Sequence, residues 1–481
     1  MTTALRPLWT PQDLAGQFRV AEQAAWHATG VATDSREITP GDLFVALAGA
    51  EADGHAYVAH ALASGAAAAL VHRLPPELAD DDPRLVFCND SFEGLRALAR
   101  LARARTQARL IAVTGSAGKT GTVRVLDQAL RRTGLTHASV RSFNNHVGVP
   151  LTLARMHPDA RFGVFEIGMN APGEIDRLTA LVRPHVALVT SIGAAHIAAF
   201  DDLAGIAQEK AAIYGHLAPG GAALVNLDTN HASHLLARAR CAGAERLITC
   251  SLQDDDADIF PFRLAWQGDG TAMAVRLMRS RVAVRVGVPG HAWAGNALMI
   301  LAAVEAAGGD VVQAGLALAG LKPGPGRGRR TRLVLPGGTV TLHDHSYNAN
   351  PLSLTAALGM LAAEPRAGRR IAVLADMREL GARAEALHRD CAPALTAAGI
   401  DQVLALGPMS AMMADAAGLT AQIIASPEDG AAHLLRAACE GDQILVKGAN
   451  AAGLGRLVAR LTAQGAAALP AEGRDAMGWA A

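Results

Sequence analysis

A short apolar run, a glycine-containing loop and a helical pattern follow one another near the end of the first quarter of the chain. Residues 110–113 (LIAV) have the apolar, β-branched character of a buried strand, and residues 114–120 (TGSAGKT) form the loop. Val123, Leu126 and Leu130 then recur at helical spacing on one face. This order of elements predicts an α/β fold in which the loop joins the end of a strand to the start of a helix.

The same loop has the composition of a phosphate-binding site. The start of a helix offers unpaired N–H groups and the positive end of the helix dipole. Gly115 and Gly118 would let the backbone approach an anion, Lys119 would reach the terminal phosphates, and the Thr120 hydroxyl would hold Mg²⁺. Val113 stands where the usual motif has its first glycine. The surrounding strand and helix nevertheless favour nucleotide binding over a chance turn.

The loop leaves several classes of nucleotide-binding protein open. A hydrolase, a kinase, a ligase and a GTP-dependent switch can all carry such a loop. GTPases usually read the guanine base with Asn-Lys-x-Asp or Thr-Lys-x-Asp, and neither pattern occurs in the chain. The sequence therefore disfavours the GTP-dependent switch.

Other strands alternate with helical segments, which predicts a mostly parallel sheet covered on both faces. We predict three domains, a small mixed α/β domain at 1–108, a central nucleotide-binding domain at 109–322, and a Rossmann-like α/β domain at 323–481. A Pro/Gly-rich stretch at 322–327 separates the last two and is a candidate hinge. The expected strands are 43–47 and 67–71, then 162–167, 186–190 and 223–227, then 371–375, 402–406 and 443–446.

Composition narrows the class of protein. The 481 residues carry 44 Lys+Arg and 44 Asp+Glu, so no basic excess is present to neutralise a nucleic-acid backbone. No run approaches the ~20 apolar residues that span a bilayer, and the N-terminus has no signal-like apolar stretch. The five cysteines form no CxxC pair. We expect a soluble, cytoplasmic, monomeric protein that binds neither nucleic acid nor membrane.

Two polar residues follow predicted strands of the central sheet. Glu166 closes the strand at 162–167, and His196 lies just after the strand at 186–190. Ligands of open parallel sheets bind beyond the carboxyl ends of the strands, so both side chains are expected near the nucleotide. A glutamate supplies the hard oxygen that Mg²⁺ prefers, whereas histidine is an unusual Mg²⁺ ligand. By itself, a histidine in this position is more often a polar loop residue than a metal ligand.

Lys210 interrupts the apolar face of a predicted helix at 201–217. The apolar stripe of that helix consists of Leu203, Ile206, Ile213 and Leu217. Position 210 completes the stripe, and a charged amine there is costly unless it is paired or neutralised. The side chain either extends to solvent or is a desolvated amine that can take up CO₂ as a carbamate and bind metal.

Several motifs together resemble the Mur ligase superfamily, and the resemblance covers nearly the whole chain. In the first region these are TDSR at 33–36, the segment 40–47 and DGH at 53–55; in the second they are 114–120, NNHVGVP at 144–150, EIGMN at 166–170, 173–175, His196 and Lys210. In the third region they are PGR at 325–327, SYNANP at 346–351, DMRELG at 376–381, His388 and KG at 447–448. The SYNANP and DMRELG segments are the most specific of these.

The resemblance implies an ATP-dependent, ADP-forming amide ligase with the same three domains. Its most similar branch joins D-alanyl-D-alanine to UDP-N-acetylmuramoyl-tripeptide through an acyl phosphate, in the peptidoglycan synthesis on which cell-wall growth, shape and division depend. The implied cofactors are ATP, two Mg²⁺ ions and CO₂ held as a lysine carbamate. The implied partners are the UDP-linked tripeptide and the dipeptide.

The resemblance also assigns residues to roles. The ATP-binding residues would be Gly115, Ser116, Ala117, Gly118, Lys119, Thr120, Asn296 and Arg327. The substrate-binding residues would be Ser35, Arg36, Asn144, Asn145, Asn348 and Asn350. The metal ligands would be Thr120, Glu166, His196 and carbamylated Lys210, and the catalytic residues Lys119, Lys210, His196 and Glu166.

The sequence departs from the superfamily pattern at several positions. An aspartate usually precedes the Ser-Tyr-Asn segment, and here that residue is His345. Other usual residues are replaced by Ala171, Ala212, Ala449, Ala292 and Trp293. Two alternatives therefore stay open, a superfamily ligase that adds a diamino acid or glutamate and a non-catalytic nucleotide-binding module. The Asp-Asn-Pro-Arg motif of the diamino-acid-adding ligases is absent from the chain.

Overall fold

The computed structural model describes residues 6–49, 52–140, 142–267 and 270–467. The first domain is built on a five-stranded sheet of order β1-β5-β4-β3-β2, parallel except for its edge strand β1. Its strands are β1 (Arg19–Val20), β2 (Gly30–Ala32), β3 (Asp42–Val45), β4 (Ala68–Val71) and β5 (Leu85–Phe87). Its helices are α1 (Pro11–Leu14), α2 (Val58–Ala63) and α3 (Ser91–Arg105).

The central domain contains a six-stranded, wholly parallel sheet of order β11-β10-β9-β6-β8-β7. Its strands are β6 (Arg109–Thr114), β7 (Thr136–Ala138), β8 (Phe162–Glu166), β9 (Val186–Val189), β10 (Ala222–Asn226) and β11 (Arg246–Cys250). Its helices are α4 (Lys119–Arg131), α5 (Gly148–Ala154), α6 (Glu174–Val182), α7 (Leu203–Ala211), α8 (Ala232–Cys241), α9 (His291–Ala306) and α10 (Val311–Ala319). An antiparallel sheet completes the domain with β12 (Phe260–Gln267), β13 (Gly270–Arg276) and β14 (Arg281–Val286).

The third domain has a seven-stranded sheet of order β19-β18-β17-β20-β16-β15-β21, in which β15 runs antiparallel to both of its neighbours. Its strands are β15 (Arg329–Leu335), β16 (Gly338–His345), β17 (Arg370–Ala375), β18 (Gln402–Leu406), β19 (Ala421–Ile423), β20 (Gln443–Lys447) and β21 (Ala466–Ala467). Its helices are α11 (Pro351–Ala363), α12 (Ala384–Arg389), α13 (Ala392–Ala397), α14 (Pro408–Ala416), α15 (Pro427–Ala437) and α16 (Leu454–Gln464).

The predicted α/β class and the mostly parallel central sheet are confirmed. The inner strands β6, β8, β9 and β10 consist mostly of buried apolar residues because both faces of the sheet are covered; β6, for example, has five buried residues in succession. The edge strands β7 and β11 are less buried and include polar residues. The predicted helix at 201–217 is wrong in its extent. Helix α7 ends at Ala211, a 3₁₀ turn follows at Ala212–Tyr214, and Leu203 is 39% exposed instead of facing the core. The antiparallel sheet β12–β14 was not predicted.

The domains pack on one another through apolar surfaces. One continuous buried cluster contains Leu178 and Val189 of the central domain together with Leu354 and Leu380 of the third domain. The first domain meets the central domain at Trp9, whose indole N–H donates to the Ala154 carbonyl at 2.9 Å. No helix among the described residues is both long and apolar enough to cross a membrane.

We predict that Trp9→Ala lowers the free energy of unfolding by about 3–5 kcal/mol, because it leaves a large cavity and removes this interdomain hydrogen bond. Trp9 is fully buried, and the Arg105 guanidinium lies 3.6 Å from its ring centroid. Trp266→Ala is the matched control, since Trp266 is 45% exposed and its removal should cost about 1 kcal/mol or less. Urea unfolding followed by circular dichroism measures both; equal losses would contradict the prediction.

Candidate active site

The loop between β6 and α4 depends on two glycines. Gly118 immediately precedes α4 and has φ of 88°, and Gly115 has φ of 147°. A Cβ on Gly115 would lie 1.9 Å from the Thr190 hydroxyl, and one on Gly118 would lie 2.6 Å from the Asn296 side-chain nitrogen. Side chains are therefore excluded at both positions, and the first N–H groups of α4 are left open to a ligand.

The loop is held by residues from two domains. Within the central domain, the Ser116 N–H donates to the Ser191 carbonyl at 2.9 Å and the Ser116 hydroxyl donates to the Gly193 carbonyl at 2.8 Å. The Ala117 N–H donates to the Ser191 hydroxyl at 3.0 Å. From the third domain, the Asn350 side-chain amide donates to the Ser116 carbonyl at 3.3 Å. The loop conformation is thus fixed by its surroundings.

Lys119 and Glu166 are the charged residues beside the loop. The Lys119 ammonium donates to the Gly115 carbonyl at 2.7 Å. Burial lowers the pKa of Lys119, the Glu166 carboxylate acts in the opposite direction, and the Arg327 guanidinium lowers it further. The three charges therefore act on one another across the mouth of the loop, where a phosphate group would find a strongly positive field.

Glu166 has the properties of a metal ligand. Its side chain is 1% exposed; one oxygen accepts from the Asn144 amide at 2.7 Å, and the other has no hydrogen-bond partner among the described residues. An unpaired buried carboxylate oxygen is costly, and a hard cation would satisfy it. No group of three or more His, Cys, Asp or Glu side chains within the described ranges could hold a metal by itself. That fits Mg²⁺, which commonly uses one or two carboxylates together with substrate phosphates.

His196 lies on the turn after β9, with a left-handed backbone of φ 58°. Its Nδ1 lies 2.6 Å from a carboxylate oxygen of Glu379 in the third domain. Burial lowers the pKa of His196, the Glu379 charge opposes that effect, and the charges of Lys119 and Lys210 reinforce it. Both lysines are thus within electrostatic reach of the imidazole.

Lys210 is 1% exposed, so the extension to solvent that the sequence allowed is wrong. Its ammonium contacts the Met169 sulfur at 3.6 Å, and no carboxylate of the described chain lies within ion-pair distance of it. The neighbouring Glu209 instead accepts from the N–H groups of Gly173 and Ile175 at 2.7 and 2.8 Å. Burial lowers the pKa of Lys210 well below its usual value, and the Lys119 charge lowers it further.

Two more cations approach the loop from the third domain. The Arg327 guanidinium lies 4.0 Å from the centroid of the Tyr347 ring. Lys447 is 4% exposed and donates to the Asn348 carbonyl at 2.9 Å. Burial, reinforced by the Arg327 charge, lowers the pKa of Lys447 to about 7. The sequence indicated Lys447 only as part of a motif, and its buried state was not predicted.

The expected substrate-binding residues are distributed over all three domains. Ser35 and Arg36 are in the first domain, where Arg36 pairs with Asp34 at 2.6 Å. They stand in sequence between Asp34 and Glu37, which line a cleft between the first and central domains together with Ala32, Thr33, Phe143, Leu151 and Arg155. Asn144 and Asn145 are in the central domain, and Asn145 accepts from the N–H groups of Val147 and Gly148 at 3.1 and 2.9 Å.

Asn348 and Asn350 precede helix α11. Asn350 caps that helix, because its side-chain oxygen accepts from the Ser353 N–H at 2.8 Å.

His345, which stands where the superfamily usually has an aspartate, is the last residue of strand β16. His345 is surrounded by protein, and burial lowers its pKa to about 3. The neighbouring Asp344 accepts from the N–H groups of Gly326 and Ser346 at 2.7 and 3.1 Å, which shapes the linker.

Comparisons with known proteins match all three domains. Three family models cover the chain, described as the Mur ligase family catalytic domain (27–105), the Mur ligase middle domain (113–304) and the Mur ligase glutamate ligase domain (329–450). A UDP-N-acetylmuramoyl-tripeptide–D-alanyl-D-alanine ligase of Escherichia coli is 37% identical over 81% of this chain and 83% of its own length. The chain belongs to the Mur ligase family. This confirms the resemblance seen in its motifs.

Other Mur ligases agree over longer spans. The Synechocystis enzyme of the same name is 31% identical over 90% of this chain and 92% of its own length. A crystal structure of MurF from Acinetobacter baumannii superposes with a TM-score of 0.82, at 26% identity, over 95% of this chain and 99% of that one. The three-domain Mur ligase fold is therefore confirmed.

We predict that Gly118→Ala weakens ATP binding at least tenfold. The new Cβ would force a left-handed backbone on alanine, at about 1–2 kcal/mol, and would displace the Asn296 amide. Gly359→Ala is the control, because a Cβ there meets no atom within 4 Å and lies in helix α11. Calorimetric titration with a non-hydrolysable ATP analogue measures both. Unchanged affinity in Gly118→Ala would exclude the loop as the phosphate site.

Proposed function

We propose that this Mur ligase joins D-alanyl-D-alanine to UDP-N-acetylmuramoyl-tripeptide in an ATP-dependent, ADP-forming reaction. The names of the curated relatives carry the choice of substrates. The observation that carries the chemistry is the placement of Lys119, Glu166 and His196 at or just beyond the carboxyl ends of the adjacent parallel strands β6, β8 and β9. The buried Lys210 lies within reach of this edge, because the Lys119 charge lowers its pKa. The proposed roles of individual residues rest on this geometry and on the family motifs.

The first chemical step is the transfer of the γ-phosphate to the peptide carboxylate. The carboxylate oxygen attacks phosphorus, the bond to the β-phosphate oxygen breaks, and ADP leaves an acyl phosphate. Two anions must meet, so the repulsion has to be offset by positive charge. The N–H groups at the start of α4, Lys119 and Arg327 supply it from the chain, since their positions are fixed before the reaction.

Two Mg²⁺ ions, when bound, would add charge at the phosphates. Glu166 suits one of these ions, because its buried oxygen has no partner in the described structure. Thr120 would contribute its hydroxyl to the same ion. His196 and a carbamate on Lys210 would hold the second.

The second step is attack by the dipeptide amine on the acyl carbon. A C–N bond forms, the bond from carbon to the phosphate oxygen breaks, and the departing phosphate carries away the proton that the amine loses. Water must be kept out of the site, because it would hydrolyse the acyl phosphate. The third domain contacts the central domain at two points, the hydrogen bond from Asn350 to Ser116 and the contact between Glu379 and His196. In this position it would exclude water from the site.

The substrates would occupy the edges of this site. Ser35 and Arg36 stand between Asp34 and Glu37, which line the cleft between the first and central domains, and we assign that cleft to the UDP-linked precursor. Asn144, Asn145, Asn348 and Asn350 would border the peptide and the incoming dipeptide, and Asn296 and Arg327 the adenosine. Asn144, Asn145 and Asn350 already make structural hydrogen bonds, so their substrate contacts would use the remaining amide groups. A monomeric state and a cytoplasmic location stay predictions.

Lys210 is proposed to carry CO₂. Its amine would attack CO₂, form an N–C bond and release one proton, which yields a carbamate with a negative charge. Burial favours the neutral amine that this addition requires. The carbamate would also place a negative charge within electrostatic reach of Lys119, whose positive charge lowers the pKa of Lys210.

We predict that ADP release requires both the UDP-tripeptide and D-alanyl-D-alanine. A coupled assay for ADP measures turnover with each substrate omitted in turn. The same assay with glutamate or a diamino acid in place of the dipeptide separates this ligase from other members of the family. ATP turnover that is equally fast without the dipeptide would refute the proposal.

We predict that Lys210→Ala lowers kcat at least a hundredfold, with partial recovery on adding a short-chain carboxylic acid that can fill the space. Lys210→Arg is the companion variant, since it keeps the positive charge and cannot form the carbamate. It should be as inactive as Lys210→Ala. Carbon-13 NMR of the wild-type protein with labelled bicarbonate should show one carbamate resonance that the Ala variant lacks. Full activity of either variant would exclude the carbamate.

A further inference from the structure

The DMRELG segment at 376–381 follows strand β17 and is fixed at its base by the third domain. The Asp376 carboxylate accepts from the Ser410 N–H and hydroxyl at 2.7 and 2.8 Å. The Met377 N–H donates to Nε2 of His388 at 3.0 Å, and Nδ1 of His388 lies 2.6 Å from the Ala384 carbonyl. The base of the segment is therefore rigid, and two of its motif residues have structural roles.

The tip of the segment reaches the central domain at Glu379. The Ala198 N–H donates to the Glu379 carbonyl at 3.0 Å, and the Glu379 carboxylate meets Nδ1 of His196 at 2.6 Å. Gly381 packs closely on Ala198, since a Cβ there would lie 3.2 Å from the alanine methyl. The main chain and the side chain of Glu379 thus both contact the turn that carries His196.

The backbone at this contact is unusual on both sides. Within the described ranges, only three non-glycine residues have positive φ, namely Arg183, His196 and Glu379. Arg183 ends helix α6, whereas His196 at 58° and Glu379 at 64° face each other across the domain interface. Such conformations cost about 1–3 kcal/mol each and persist where the surroundings impose them, often at functional sites.

The hydrogen bond decides which nitrogen of His196 can bind a ligand. A carboxylate at Nδ1 holds the ring proton there, so the lone pair of Nε2 is left free. The pair adds little stability, because the side chain of Glu379 is 58% exposed and that of His196 is 28% exposed. Its effect is therefore assigned to the orientation of the imidazole ring and to the nitrogen that it presents.

We propose that Glu379 is a positioning residue, which sets the ring of His196 for metal binding from the opposite domain. The proposal rests on the proposed function, since it takes His196 as a metal ligand. The proposal also gives a role to Glu379, which the proposed phosphate chemistry does not need for binding or charge. The metal ligand would be oriented only when the third domain is seated on the central one.

The test measures Mn²⁺ binding in the full-length protein with a non-hydrolysable ATP analogue, by electron paramagnetic resonance of the free ion. Glu379→Leu keeps the size of the side chain and removes the acceptor, and should weaken Mn²⁺ binding about tenfold. Glu379→Gln retains an oxygen that can accept from Nδ1–H and should recover most of the affinity. Leu and Gln variants of equal affinity would overturn the proposal.

Two further variants separate orientation of the imidazole from general support of the domain interface. Arg383→Ala removes the hydrogen bond from Arg383 to the Asp201 carbonyl across the same interface without touching His196, and should change Mn²⁺ affinity less than twofold. A loss equal to that of Glu379→Leu would mean that Glu379 acts only by holding the domains together, and would refute positioning. His196→Ala should weaken binding at least as much as Glu379→Leu, and the double variant should be no weaker.

The outcomes distinguish the proposed metal site at His196 from the proposed positioning role of Glu379. If His196→Ala leaves Mn²⁺ affinity unchanged, His196 is not a ligand, and both the metal site and the role of Glu379 are refuted. If His196→Ala weakens binding while Glu379→Leu does not, only the positioning role is refuted. Ligation of the dipeptide by the wild-type enzyme is tested independently of both.

Discussion

Backbone atoms of the phosphate loop approach their neighbours so closely that no side chain fits at Gly115 or Gly118. The rest of the site is arranged around this constraint. Helix α4 can begin at Lys119 only because the preceding residue adopts a left-handed conformation, and the lysine then folds back on the Gly115 carbonyl. The third domain meets this loop directly through Asn350, so the interdomain contact and the phosphate site share atoms.

Positive groups approach the loop from two domains. The Arg327 guanidinium lowers the pKa of Lys119, and Glu166 is the buried carboxylate that acts on Lys119 in the opposite direction. Lys210 and Lys447 are buried, and burial lowers the pKa of both. Like charges that are also buried lower one another's pKa, and the protein bears a cost in stability for holding them together. A nucleotide triphosphate and a carboxylate substrate carry the opposite charge, so binding them relieves this cost. The site is therefore complementary to a polyanion before any ligand arrives.

The features that could be predicted from the sequence are those that depend on the local spacing of apolar residues and glycines. The α/β class, the loop before α4 and most central strands follow from apolar runs and glycine positions near one another in the chain. The place of Lys210 on an apolar face left burial and extension to solvent both open, and the structure shows burial. The helix ends earlier than predicted because the chain tightens into a 3₁₀ turn after Ala211. The contact between Glu379 and His196 could not be predicted from the sequence, because the two residues are far apart in the chain and meet only where two domains pack together. Sheet β12–β14 was missed because its strands are half exposed and carry charged residues.

The Asn350 side chain makes hydrogen bonds within the third domain and to the central domain. Its oxygen caps helix α11, and its nitrogen donates to the Ser116 carbonyl. Because the cap ties the amide to the helix, α11 must shift as a unit whenever the third domain moves away from the loop. The Asn350–Ser116 hydrogen bond must break when this happens, so the phosphate loop loses one of its anchors each time the two domains separate.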